Sequence, residues 1–156
     1  MRKTILIMLL AVSSSTWADD NYDAQRVSQD DKEAVKSLRL AAEQGDATAQ
    51  LQLGIDYYLG HSISQDSKEA VKWYRLAAKQ GVAKAQNLLG MSYNSGDGVF
   101  QDYVRGYMWH SLAAISGLKD AGKYRDAVSE QMTPQEITKA KNMAKECLEN
   151  NYKGCD

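Results

Sequence analysis

The chain has 156 residues, 19 of them basic and 20 acidic, for a net charge of −1. That balance carries no electrostatic footprint for nucleic acid or an anionic lipid surface, and neither is expected as a partner. A single proline and a single phenylalanine argue against a turn-dense β fold, while Ala, Leu, Lys, Glu and Gln favour helices.

Arg2 and Lys3 open a basic start, an apolar run fills 5–12, and a Ser-rich stretch leads to Thr16 and Ala18. This is the layout of a secretory signal spanning 1–18, with cleavage expected after Ala18. The apolar run is less than half of the ~20 residues a membrane span needs, so no insertion is expected once it is removed. The polar, acidic stretch 19–28 reads as a flexible leader. Export leads to the periplasm or to secretion.

From 29 onward one pattern recurs. QDDKEAVKSLRLAAEQG at 29–45 returns as QDSKEAVKWYRLAAKQG at 65–81, identical at 13 of 17 positions, and in looser form as QDYVRGYMWHSLAAISG at 101–117. Gly45, Gly81 and Gly117 lie 36 residues apart, and a fixed period in this range marks a stacked repeat architecture. The copy at 29–45 puts Ala34, Leu38, Ala41 and Ala42 on one helical face, and Gly45 stops the helix. Ser37 stands where the next copy has Trp73, and a smaller apolar face suits a terminal capping unit.

The units 45–80 and 81–116 share 14 of 36 residues. In their first helices the shared residues include Ala49/Ala85, Leu53/Leu89, Gly54/Gly90 and Tyr57/Tyr93. A mid-helix glycine costs about 1 kcal/mol against alanine, so its return needs a packing reason, here close contact with Ala77 or Ala113. The second helix carries Ala70, Trp73, Tyr74, Ala77 and Ala78 on one face. The turns GHSISQD and GDGVFQD each hold one apolar residue, Ile63 or Val99, to pin the loop, and Asp66 with Glu69 forms a capping-box pattern. After Gly117 the repeat fades: Ala121 remains, but Arg125 and Asp126 replace the Leu-Gly pair. Thr133, Pro134 and Glu136 start a last helix whose apolar face is Ile137, Ala140, Ala144, Cys147 and Leu148, opposite Lys141 and Lys145. The stretch 117–150 is thus a C-terminal cap, and 29–150 is a solenoid of seven predicted helices. In an exported chain Cys147 and Cys155 form a disulfide that closes the tail 151–156.

The residues AQNLLGMSYNSGDGVFQD and KEAVKWYRLAAKQG together resemble the Sel-one-like repeat (SLR), a relative of the tetratricopeptide repeat, over roughly 29–117. His61–Ser62 replaces the usual acidic-Gly pair, and Gly106 and His110 replace the usual Ala and Tyr. The resemblance implies an all-α, right-handed solenoid of antiparallel helix pairs, with the first helix of each pair lining a concave side. MTPQEI before an amphipathic helix is similar to the end of many exported SLR proteins.

No catalytic constellation is present: the two histidines, His61 and His110, sit in different repeats, and H-E-x-x-H, G-x-S-x-G and P-loop patterns are missing. No catalytic residue, metal site or cofactor is expected. His110 reads as a core-edge aromatic, and Trp73, Trp109 and Tyr93 as packing residues rather than a ligand platform. Cysteine-rich SLR relatives are linked to β-lactam binding or hydrolysis, but their paired cysteines in every repeat are absent. First-helix positions unused by the packing pattern are Gln52, Ile55, Asp56 and Leu59, then Leu88, Met91, Ser92 and Ser95. They form a candidate groove for a protein partner, with Ile55 and Met91 as expected surface contacts. The expected function is therefore an exported, monomeric protein–protein interaction module. An immunity-type inhibitor of a toxic effector is its specific form. The rivals are an envelope enzyme or binder of the β-lactam-recognising kind and a scaffold for cell-wall or secretion machinery.

Overall fold

The computed structural model describes residues 29–155; the expected signal at 1–18 and leader at 19–28 lie outside them. The described residues form seven helices and no strand: α1 (Gln29–Glu43), α2 (Ala47–Leu59), α3 (Ser67–Ala78), α4 (Ala83–Ser95), α5 (Tyr103–Ile115), α6 (Ala121–Ser129) and α7 (Pro134–Glu149). Each helix packs on the next from α1 to α6, and α7 returns to pack on α5. This is an all-α solenoid with a folded-back end.

The repeat works through hydrogen bonds that recur at the period. Gln50 Nε2 donates to the Ala42 carbonyl at 3.0 Å, and Gln86 Nε2 donates to the Ala78 carbonyl at 3.2 Å. Each buried amide thus adds a second hydrogen bond to a carbonyl at the end of the preceding helix, which already accepts from the Gly45 or Gly81 N–H. Arg39 donates to the Tyr57 hydroxyl at 2.7 Å, and Arg75 to the Tyr93 hydroxyl at 3.0 Å. In the turns, Gln65 Nε2 donates to the Tyr58 carbonyl and Gln101 Nε2 to that of Asn94, at 2.8 and 2.7 Å. The neighbouring Asp66 and Asp102 side chains cap α3 and α5. Asp66 makes only half a capping box. Its own N–H goes to the Tyr57 carbonyl, and Glu69 pairs with Lys72 instead. The box at Thr133 and Glu136 is complete.

The glycine positions have a different reason from the expected alanine contact. A Cβ at Gly54 would lie 2.7 Å from the Tyr74 ring, and one at Gly90 would lie 2.9 Å from the His110 ring. An aromatic side chain of the second helix rests on the bare backbone of the first.

The main core joins α3, α4, α5, α7 and the tail, and includes Tyr74, Leu89, Trp109 and both cysteines. A smaller cluster holds Ala42, Ala49 and Leu53, with Leu38, Ala41, Ile63 and Trp73 packed against it. Ala34, expected on the buried face of α1, is exposed, and Val35 is half-buried in its place. Trp73 is half-buried against the smaller cluster, whereas Trp109 is fully enclosed in the main core. In α7 the expected face is found: Ala140, Ala144 and Cys147 are buried, and Lys141 and Lys145 are exposed.

The Cys147–Cys155 disulfide closes the tail, with Cα atoms 5.1 Å apart. Asn151 and Tyr152 both take left-handed backbone angles, φ 49° and 62°. For a bulky residue such as Tyr152 that is an uncommon conformation. It carries the ring back over the α3–α4 turn, where a Cβ at Gly81 would meet it at 3.2 Å, and places its hydroxyl 3.2 Å from Ser116 Oγ. The tail therefore covers central units as well as α7.

Trp109→Ala should destabilise the protein by roughly 3–5 kcal/mol in denaturant unfolding, as a fully buried large-to-small change. Trp73→Ala should cost clearly less, and equal costs would contradict the difference in burial. Intact mass of oxidised protein should fall about 2 Da below that of the reduced chain. Reduction should remove about 2.6 kcal/mol on chain-entropy grounds for a loop of this length. Amide exchange should then rise around Gly81 and Ser116 as well as in α7, whereas a rise confined to α7 would contradict the long reach of the tail.

Candidate interaction groove

The first helices α2 and α4 are related by the repeat period, so matching positions recur along one side of the solenoid. On α2, Gln52 is exposed and donates to Asp56 Oδ1 at 2.9 Å, so these two polar groups satisfy each other. Leu59 is 48% exposed, while Ile55 is half-buried and packs against the main core. Ile55 is therefore more a packing residue than the surface contact expected of it. On α4, Met91 is 43% exposed, Leu88 is half-buried against the core, and Ser92 is buried. The serine hydroxyls bond their own helix: Ser92 donates to the Leu88 carbonyl and Ser95 to that of Met91, each at 3.1 Å.

The α4 set converges. Leu88, Met91, Ser92 and Ser95 line a cleft of about 190 Å³ together with Tyr58, Tyr74 and Asp97. Gln52, Ile55, Asp56 and Leu59 do not line it. Tyr58, Tyr74 and Asp97 escape a reading of free first-helix positions. Tyr58 ends α2, Tyr74 comes from the second helix, and Asp97 from the turn after α4. The signal for Tyr58 was the Tyr57–Tyr58 pair, of which packing needs only the first member.

A family model for the Sel1 repeat matches residues 21–46, 47–82 and 83–118. The chain belongs to the Sel1 repeat family. Sel1 repeats are protein-interaction units, which sets the broad class of function. Among solved structures, a protective antigen present in uropathogenic Escherichia coli strains and displaying an SLR fold is similar at 28% identity and a TM-score of 0.76. That match covers 86% of this chain but only 29% of the antigen. A Sel1 repeat protein from Oxalobacter formigenes is similar at 29% identity and a TM-score of 0.56, over 78% of this chain and 57% of the other. No curated protein matches the sequence.

The Sel1 unit at 83–118 differs from that at 47–82 at a buried polar cluster. His110 is fully buried, with Nδ1 2.8 Å from Asn87 Oδ1 and Nε2 3.0 Å from Asn94 Nδ2. A neutral ring that donates from Nδ1 and accepts at Nε2 satisfies both contacts. Tyr124 of α6 stacks on the ring with centroids 5.6 Å apart. His110 is thus deeper than the core edge expected of it. His61 is exposed in its turn. Among the described residues no group of three or more His, Cys, Asp or Glu side chains could hold a metal ion, and no helix is long and apolar enough to cross a membrane.

Burial holds the His110 imidazole down to about 4. In the unfolded chain a histidine titrates near ~6.5. The folded state therefore refuses a proton that the unfolded state accepts. Its stabilising contribution is complete above about pH 6.5 and is lost as pH falls towards 4. Unfolding free energy should drop by about 3 kcal/mol across that window. His110→Gln should flatten the slope between pH 6.5 and 4.5, above most carboxylate titration. An unchanged slope would show that His110 does not carry it.

Proposed function

We infer that this Sel1 repeat chain binds another protein through the side of the solenoid formed by α2 and α4, in the bacterial envelope. The observation that carries the reading is the apolar cleft lined by the exposed Met91 and Tyr58, with Leu59 exposed next to Tyr58 in the chain. Large apolar groups placed together on a folded surface favour a partner that covers them. Gln52 pairs with Asp56, and the hydroxyls of Ser92 and Ser95 bond their own helix, so covering this face leaves these groups paired. The Cys147–Cys155 bridge fits an oxidising compartment. Within that setting the chain is an immunity-type protein that occludes a toxic hydrolase acting in the periplasm.

Met91→Glu and Leu59→Glu place a charge where a partner must desolvate it. Each should cut recovery of the partner from periplasmic extract about tenfold or more, as loss of a central contact does. The melting temperature should stay within about 2 °C of wild type, as for surface changes. Lys141→Glu, on the exposed face of α7, should leave recovery unchanged. If Met91→Glu and Lys141→Glu capture equally well, the partner does not use this groove. For the immunity-type role, the captured protein should be a hydrolase whose activity falls on adding the wild-type chain but not the Met91→Glu variant.

A further inference from the structure

Two polar groups in the cleft are unlike the rest. Tyr74 is 98% buried by its neighbours, with a relative exposure of only 2%. Its ring is fixed on Gly54, yet its side chain borders the cleft and its hydroxyl has no hydrogen-bond partner among the described residues. Asp97, half-buried at the same cleft, makes no ion pair or side-chain hydrogen bond among them either. Burial above all, and then the nearby Tyr58 and Asp97, raise the cost of ionising Tyr74, so the phenol stays neutral. The remaining walls are the Tyr58 ring, Leu88 and Met91. An apolar cleft whose lining also holds one carboxylate and one phenol is complementary to a long aliphatic stem with a cationic head.

We propose that this cleft is a subsite for an arginine side chain of the partner protein, with its stem along Leu88 and Met91 and its guanidinium at Asp97 and the Tyr74 hydroxyl. The inference rests on the groove reading above and adds the chemistry of one contact residue to it. Arginine suits the slot better than lysine for two reasons. Its planar fork offers several donors to two separate acceptors, and its weakly hydrated face stacks on an aromatic ring such as Tyr58. An aliphatic side chain would fill the walls but leave the carboxylate and the hydroxyl covered and unpaired.

The test uses N-acetyl-arginine methylamide, with the citrulline and norleucine equivalents as neutral controls, read on the Met91 methyl resonance of the full chain. The arginine probe should shift that resonance saturably. Citrulline and norleucine should need about fivefold more ligand, the order expected of one partly exposed charge pair. Asp97→Asn should bring arginine to the level of citrulline, and Tyr74→Phe should weaken it while leaving norleucine unchanged. If either variant folds poorly, salt decides. Raising ionic strength from about 0.05 to about 0.5 M should weaken arginine alone, since screening acts on the ion pair. Equal responses to all three probes would overturn the arginine subsite while leaving the groove, which Met91→Glu capture decides separately. No response to any probe would also overturn it.

Discussion

The structure depends on one close approach, an aromatic ring of the second helix laid on the bare Cα of a first-helix glycine. At Gly54 the ring is that of Tyr74, and at Gly90 it is that of His110. Without a Cβ the two helices of a pair come near enough for Leu53 and Leu89 to be fully buried beside them. The entropic cost of a mid-helix glycine, about 1 kcal/mol, is small beside the burial it permits. The Gln50 and Gln86 amides then tie each first helix to the end of the helix before it, so that pairing within a unit and stacking between units share the same residues.

Because the ring position is fixed by the backbone, its identity decides what lies around it. In the first pair a tyrosine leaves a hydroxyl at the cleft between α2 and α4. In the second pair a histidine turns the same place into a sealed polar cluster under Tyr124. One scaffold position therefore serves a surface in one unit and the interior in the next. The tail adds a third use of bare backbone, with the Tyr152 ring set against Gly81 and held there by the Cys147–Cys155 loop.

Much of this fold was legible in the chain. The 36-residue period, the capping glycines, the Thr133 start of α7 and its buried face follow from spacing and helix-end chemistry, which act locally. What escaped depends on the neighbour across the helix pair. Glycine announces a close approach but does not name the side chain that fills it, so Tyr74 and His110 were not foreseen opposite Gly54 and Gly90. Trp73 and Trp109 occupy one repeat position, but Trp73 lies against the small cluster of α1 and α2 while Trp109 lies within the main core. The cleft was half visible: Leu88, Met91, Ser92 and Ser95 came from periodicity on α4. Tyr58, Tyr74 and Asp97 reach it from three other segments, a convergence that no single-helix pattern encodes.

The polar cluster of the second unit also limits how this array could have diverged from a uniform ancestor. Asn87, Asn94, Gly106 and His110 stand where the first unit has Leu51, Tyr58, Ala70 and Tyr74. A Cβ at Gly106 would overlap Asn94 Oδ1, so alanine there would force Asn94 out of its present position. Histidine without its two asparagines would bury unpaired nitrogens, and the asparagines without histidine would bury unpaired amides. Residues bound in one network do not change independently. Exchange between the two units is thus strongly epistatic: the repeats share a backbone, but at these positions their sequences are no longer interchangeable one residue at a time.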